Sequence, residues 1–348
     1  SSLRISVHPV LKKEPWPRIE AKPPSPSFSG ASPLVACSNA CASIGRGDYV
    51  SIRSALVSTF ILRPNKILFR LFRPSPGFIR LMVHPQAWFT AKLFSPFGIR
   101  TEKTHFGDVS GVTFTPKKNV RPNTIFVFLH GGGYCIGSSL STHRIGLANL
   151  SKMTSCVCHS VDYRLASKHP YPAALDDAMQ AWQAIVADNP DSQIILGGDS
   201  AGGGLSLALM MRLRDEGSRL PDAAVLFSPW TDLTCSSQTY KTLAKADPMV
   251  SHVITKDCAG HYVPDSADRK DPYISPLFGD FTGLPRTLIL VGDREVLHDD
   301  SRRVGENAKT AGVEIEVDIW PGMFHDWWLF GPCVPESKQC LRKVAEWI

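Results

Sequence analysis

The amino-acid sequence predicts an α/β architecture, a mostly parallel central sheet flanked by helices on both faces. Three observations carry that expectation. From about residue 100 onward, short apolar runs of strand length alternate with stretches of helical character, the pattern of parallel strands joined by crossover helices. Those apolar runs are nearly continuous, which suits strands buried on both faces. Glycine clusters stand at two of the strand ends, in His130-Gly131-Gly132-Gly133 and in Gly198-Asp199-Ser200-Ala201-Gly202, where sheets of this kind gather their ligand-binding loops. With 348 residues, 43% of them hydrophobic, the chain can bury a large core and has room for one large domain with insertions. No apolar run approaches the roughly 18 residues a membrane-spanning helix needs, so a transmembrane protein is not expected.

The elements follow in order. Residues 1–48 are rich in Pro, Ser and Ala, with PPSPSFSGASP at their centre, and are expected to form an extended or loosely ordered segment. Residues 49–99 become apolar and basic and are expected to be helical. Arg63, Lys66, Arg70 and Arg73 recur at helical spacing, with Ile67, Leu68, Leu71 and Phe72 elsewhere on the same helix, which Pro74 and Pro76 end. The basic stripe reads as a solvated face over a pocket or core, or as an interfacial helix across 63–80 with weak affinity for anionic lipid. In residues 100–348 the segments GVTFTP, TIFVFLH, SCVCHSVDY, SQIILGG, AAVLFSPW, RTLILVG and VEIEVDIWP read as strands. ALDDAMQAWQAIVAD, LSLALMMRLRDEG and ESKQCLRKVAEW read as helices. The irregular stretch between Trp230 and Tyr273 sits between two strands and is expected to be an insertion over the ligand-binding edge of the sheet, near 234–268. No internal repeat is visible.

The net charge of +6 is uneven. Residues 1–100 carry 14 Lys and Arg against 3 acids, while the remainder is net acidic. A basic first third on an acidic body argues for a local electrostatic feature and against a nucleic-acid-binding surface. Nine cysteines without a C-x-x-C pair read as buried free thiols in a reducing, cytoplasmic compartment. The first residues carry no basic–apolar–small signal pattern.

Gly198-Asp199-Ser200-Ala201-Gly202 fits G-x-S-x-G between a strand and a helix, the context that gives this motif meaning. A turn this sharp strains the Ser backbone and crowds the positions two before and two after it, so both are glycine. The turn holds the hydroxyl above the sheet edge and aims the helix N-terminus at a developing negative charge. His130-Gly131-Gly132-Gly133 ends an earlier strand, and its glycines can bring backbone N–H groups close to a substrate oxyanion, with the amide of Ala201 as a further donor. The rival reading is a phosphate loop, which lacks its Lys-Ser/Thr ending here. His130 itself reads as a loop-fixing hydrogen bonder. His325, after the last strand, stands where a general base is needed downstream of the nucleophile. The supporting acid belongs in the loop Asp293-Arg294-Glu295, with Asp299 and Asp300 as rivals that read more simply as helix-start carboxylates. No HExxH and no Cys/His cluster with ligand spacing is present, so neither a metal nor an organic cofactor is expected.

These motifs, with HGGGYCIGS, VDYRLASKHPYPAALDD, GGDSAGGGL, SPWTDL, DPYISPLFGDFTGLP and PGMFH in that order between about residues 125 and 331, resemble the hormone-sensitive-lipase-like branch (family IV) of the α/β-hydrolases, a group of carboxylesterases. The resemblance implies an α/β-hydrolase fold whose helical cap is built from the N-terminal region and the 234–268 insertion. It implies Glu295 as the acid, because Glu295-Val296-Leu297-His298-Asp299-Asp300 matches the family's acid segment. It implies Gly131, Gly132 and Ala201 as oxyanion donors, and Asp162, Arg164, Asp176 and Asp177 as braces of the fold. Tyr134, Trp230 and Trp327, beside these motifs, are candidate substrate-binding residues. Asp326 departs from the family, which commonly has Gly there, and with Trp327 and Trp328 puts charge and bulk beside the base. The implied activity is serine-dependent hydrolysis of short to medium acyl esters, or a specialised reaction of the same site such as deacetylation, lactone opening or acyl transfer. The expected partner is a small-molecule ester, and the oligomeric state stays open with a dimer among the candidates.

Overall fold

A computed structural model describes residues 50–348; the expected N-terminal segment 1–48 lies outside the described residues. Among them, eight strands form one sheet in the order β1-β2-β4-β3-β5-β6-β7-β8. The strands are β1 (Ile99–Phe106), β2 (Val109–Pro116), β3 (Thr124–Leu129), β4 (Val157–Val161), β5 (Gln193–Asp199), β6 (Ala223–Phe227), β7 (Thr287–Gly292) and β8 (Ile315–Trp320). All neighbours from β4 to β8 run parallel, while β1–β2 and β2–β4 are antiparallel.

Strand β1 escaped the sequence reading. Of its residues, IRTEKTHF, half are exposed at the sheet edge and only Phe106 is buried, so no apolar run marks it. It pairs with β2 through a two-residue link in which Gly107 has φ 59° and Phe106 faces Val109, a tight hairpin that glycine permits.

The sheet is covered on both faces, and β3 shows how. Ile125, Val127 and Leu129 pack with α5 (Ala173–Asp188), α6 (Ala201–Asp215) and α9 (His298–Thr310), including Trp182, Leu205 and Val304. Phe126 and Phe128 join the opposite cluster with Leu147 of α4 (Arg144–Thr154), Leu341 of α10 (Pro335–Trp347) and Trp328 of the 3-10 stretch Trp327–Cys333. Burial of alternate side chains on both faces is what makes these strands apolar throughout. Between β6 and β7 the insertion carries α7 (Thr239–Thr242) and α8 (His252–Tyr262).

The N-terminal region is helical: α1 (Ile52–Leu56) runs through a π-helical stretch, Val57–Leu62, into α2 (Arg63–Phe72), and Pro76 opens α3 (Pro76–Phe94). Arg73, in the left-handed region at φ 41°, ends α2 just before Pro74. Here the structure divides the basic stripe, with Arg70 and Arg73 exposed and Arg63 and Lys66 bonded to the insertion. Arg63 donates to the Lys245 carbonyl, and Lys66 donates to the carbonyls of Ala244 and Asp247 in the insertion. The side presented to solvent also carries apolar residues, with Ile67, Leu68, Leu71 and Phe72 about half exposed or more. Ser51 and Ser54 tie the start of this region to the Glu336 carboxylate of α10.

Candidate active site

The carboxyl ends of β3, β5, β6, β7 and β8 bring the motif residues to one edge of the sheet. Ser200 stands between β5 and α6 at φ 50°, ψ −120°, a conformation that costs a non-glycine residue energy and must be held by its surroundings. Its N–H donates to the Phe227 carbonyl at 2.9 Å, and its carbonyl accepts from Trp230 N–H at 2.8 Å. The crowding expected of the turn is present: a Cβ on Gly198 would lie 2.3 Å from the Gly202 carbonyl, and one on Gly202 would lie 2.0 Å from that of Leu129. Gly204 likewise leaves 2.1 Å to the Trp230 carbonyl, so the glycine run after Ser200 lets α6 enter against neighbouring backbone.

Gly131 does not stand ready for a substrate. Its N–H donates to Asp199 Oδ1 at 2.9 Å, which corrects its expected role as an oxyanion donor. Among the described residues, no hydrogen bond within the protein uses the N–H of Gly132, Gly133 or Ala201. Gly132 has φ 113° and Gly133 φ 61°, and a Cβ on Gly133 would meet Cys258 Sγ of α8 at 2.8 Å. The insertion therefore closes against this loop.

The loop is fixed by Asp199, by His130 and by one residue the sequence reading left aside, His143. His143, at the start of α4, bonds Asp199 Oδ2 through Nε2 at 3.0 Å. Burial pushes the Asp199 carboxyl up, but His143 beside it outweighs burial and holds it low, and Asp199 raises His143 in return. Asp199 was legible as part of the nucleophile motif, whereas His143 has no signal beyond its residue type. His130 bonds the Gly131 carbonyl through Nδ1 at 2.8 Å and stacks on Tyr163, whose hydroxyl donates to the His130 carbonyl at 2.6 Å. Farther back, Asp162 accepts from Ser139 N–H, Asp177 binds Arg164 and Asp176 binds Arg212.

Glu295, fully buried after β7, places Oε2 2.9 Å from His325 Nδ1. Its Oε1 accepts from Ser228 Oγ at 2.7 Å and Gly292 N–H at 2.6 Å. Ser228, at the end of β6, was not singled out in the sequence. The rival acids are occupied elsewhere: Asp293 accepts from Gly322 N–H, Asp299 pairs with Arg302, and Asp300 accepts from the Thr231 and Asp232 amides. Burial alone would lower His325, but Asp326 and Glu295 together raise it well above the usual histidine range. Asp326 contributes through Oδ2, 3.1 Å from His325 Nε2.

Tyr134, Trp230 and Trp327 are core residues and not the walls of an open pocket, which corrects their expected substrate contact. Each is 1% exposed or less. Tyr134 stacks on Tyr262 of α8, Trp230 donates to the Asp232 carbonyl, and Trp327 packs near Trp320. A cavity of about 340 Å³ does open on the far side of the His130 loop, lined by Arg80, Asp162 and Lys168 among others, but it contains none of Ser200, Glu295 and His325.

Comparison with known proteins agrees with this architecture. Residues 126–329 match a family described by its α/β-hydrolase fold. An esterase of Acinetobacter venetianus is 37% identical over 231 residues, 66% of this chain and 76% of that protein. An acetyl-hydrolase of Streptomyces hygroscopicus is 37% identical over 247 residues, 70% of this chain and 82% of that protein. A crystal structure of an esterase from the bacterial hormone-sensitive lipase family superposes with a TM-score of 0.77 at 34% identity, over 85% of this chain and 97% of that one.

Proposed function

The chain belongs to the hormone-sensitive-lipase-like branch of the α/β-hydrolase family, and on that premise we propose that Ser200, His325 and Glu295 form the catalytic triad of a carboxylesterase acting on short to medium acyl esters. The observation that carries this reading is the pairing of His325 Nδ1 with the buried Glu295 carboxylate at 2.9 Å, at the sheet edge where strained Ser200 stands. Glu295 fixes the ring so that Nε2 is the working nitrogen, and its charge stabilises the imidazolium formed during reaction. Ser228 Oγ and Gly292 N–H donate to that carboxylate and orient it.

In the proposed reaction His325 Nε2 takes the Ser200 proton as the hydroxyl oxygen attacks the ester carbonyl. The N–H groups of Gly132, Gly133 and Ala201 receive the oxyanion of the tetrahedral intermediate, aided by the N-terminus of α6. Protonated His325 then gives its proton to the leaving alcohol, and the acyl group stays on Ser200. In the second half a water attacks the acyl carbonyl as His325 accepts its proton; the bond to Ser200 Oγ then breaks, His325 returns the proton to that oxygen, and the acid is released.

The test is turnover of p-nitrophenyl acetate, butyrate, octanoate and palmitate by the wild type, Ser200→Ala and Glu295→Ala. The expected result is fast turnover of the shorter esters, none by Ser200→Ala and severe loss in Glu295→Ala. A folded wild type inert on every chain length would overturn the general esterase reading.

For the N-terminal helices we propose weak attachment to anionic membrane surfaces. Between Asp48 and Glu102 the sequence has eight Lys and Arg and no acidic residue. The same region exposes large apolar side chains, among them Phe72, Phe78, Leu81, Trp88, Phe89 and Leu93. Apolar surface together with positive charge is what an anionic lipid interface attracts. Among the described residues no helix is long and apolar enough to cross a membrane.

A further inference from the structure

The proposed reaction uses His325 Nε2 as the base for Ser200, yet a carboxylate already stands at ion-pair distance from that nitrogen. Asp326 Oδ2 lies 3.1 Å away, and no hydrogen bond joins Ser200 to His325 among the described residues. The proton count makes the contact informative. A neutral ring whose single proton sits on Nδ1, facing Glu295, leaves only a lone pair on Nε2. A lone pair and a carboxylate oxygen repel, so this contact needs one more proton. Either the ring carries it as imidazolium or Asp326 carries it as a carboxylic acid. The working base has neither, because its Nε2 must be empty to accept from Ser200. The resting arrangement is thus one proton richer than the reactive one.

We propose that Asp326 is a positioning residue that withholds His325 from Ser200, pairing with the protonated ring at Nε2 and freeing it only when that proton leaves and the carboxylate turns aside. This rests on the triad reading and adds to it a residue that sets when the base is available. Asp326 is buried in the left-handed region at φ 54°, and its Oδ1 has no hydrogen-bond partner. An ionised carboxylate with a bare oxygen in a dry site is costly, which favours keeping the proton.

The charged groups around the pair come from four other elements. Glu295 after β7 and Asp199 at the end of β5 face Asp326 and favour retention of the proton, as Asp247 in the insertion does from the His325 side. His143, bonded to Asp199, opposes them. Once ionised, Asp326 is repelled by Glu295 and Asp199, which drives it away from the ring. Burial alone would lower His325, but Asp326 and Glu295 raise it well above the usual histidine range, so the base is withheld at lower pH and released as pH rises.

The experiment is the pH dependence of kcat/KM on p-nitrophenyl butyrate for the wild type, Asp326→Asn and Asp326→Gly. Asn and Gly both accept a positive φ, and neither can share the proton. Removing a charge this close to the imidazole is expected to move the acidic limb of the profile down by about one pH unit or more. Well below the wild-type midpoint that is a gain of about tenfold or more. Thermal unfolding confirms that each variant is folded. An acidic limb unchanged in either folded variant overturns the proposal, and so does a loss of activity that is uniform across pH, the mark of a merely structural role. Ser200→Ala is assayed alongside, because residual activity there would count against the triad and not against Asp326.

Discussion

Replacing Trp88, Phe89 and Leu93 together with Asp is expected to detach the protein from anionic vesicles. The three side chains lie on α3 and are 48%, 65% and 67% exposed, so most of their apolar area faces solvent in the folded chain. Full transfer of such a side chain out of water contributes ~1.5–3 kcal/mol. Transferring only the exposed part contributes roughly 1–2 kcal/mol each by the same rule, or ~3–6 kcal/mol for the three. At ~1.4 kcal/mol per factor of ten, the loss in vesicle partitioning is about a hundredfold or more. Repulsion between each new Asp and the anionic lipid works in the same direction. The assay is flotation with phosphatidylcholine vesicles, with and without phosphatidylserine, at low and physiological salt. Wild type is expected to float with the serine-containing vesicles and to detach as salt rises, because screening weakens the contribution of exposed Arg70, Arg73 and Lys92. Wild type that stays in the pellet with anionic vesicles refutes the reasoning, as does a folded triple variant that floats as well as wild type.

Other outcomes can be checked with purified protein. Ser200→Ala is expected to lower kcat/KM on p-nitrophenyl butyrate by about 10⁴-fold or more. Glu295→Gln, which keeps shape but lets Nδ1 lose its acceptor, should cost about 10³–10⁴-fold; activity near that of wild type would remove Glu295 from the triad. Gly202→Ala forces a Cβ to within 2.0 Å of the Leu129 carbonyl and should lower stability by ~1–3 kcal/mol or more. Gly260→Ala in α8, with nothing within 4 Å of the new atom, should be neutral or stabilising; equal midpoints in urea for the two variants would contradict the crowding at the nucleophile turn. Trp328→Ala empties a buried site stacked on Phe227 at 4.5 Å and should cost ~3–5 kcal/mol in the same titration.

Much of the fold was legible because local pattern and tertiary role coincide in it. Strand β3 reads as TIFVFL since both of its faces are covered, and a doubly buried strand has no polar positions to disguise it. Strand β1 was invisible for the converse reason: on the sheet edge its mixed residues look like a loop. The turn at Ser200 was readable because its steric demand can be met only by glycine at fixed offsets. The basic spacing of α2 marked a helix but not how its stripe divides between solvent and protein. Periodicity says which residues share a face, but the carbonyls of Ala244, Lys245 and Asp247 decide that Arg63 and Lys66 turn inward.

The sequence by itself determined the order of strands β2 to β8 along the chain and the two glycine-rich turns. Each of these is set by local sterics or by burial written into consecutive residues. Only the tertiary structure decided that Asp199 takes the Gly131 amide, that Ser228 and Gly292 hold Glu295, and that Asp326 stands against His325 Nε2. These contacts join residues delivered by different strand ends, and a buried hydrogen bond depends on where partners lie in space. No spacing in the chain records that.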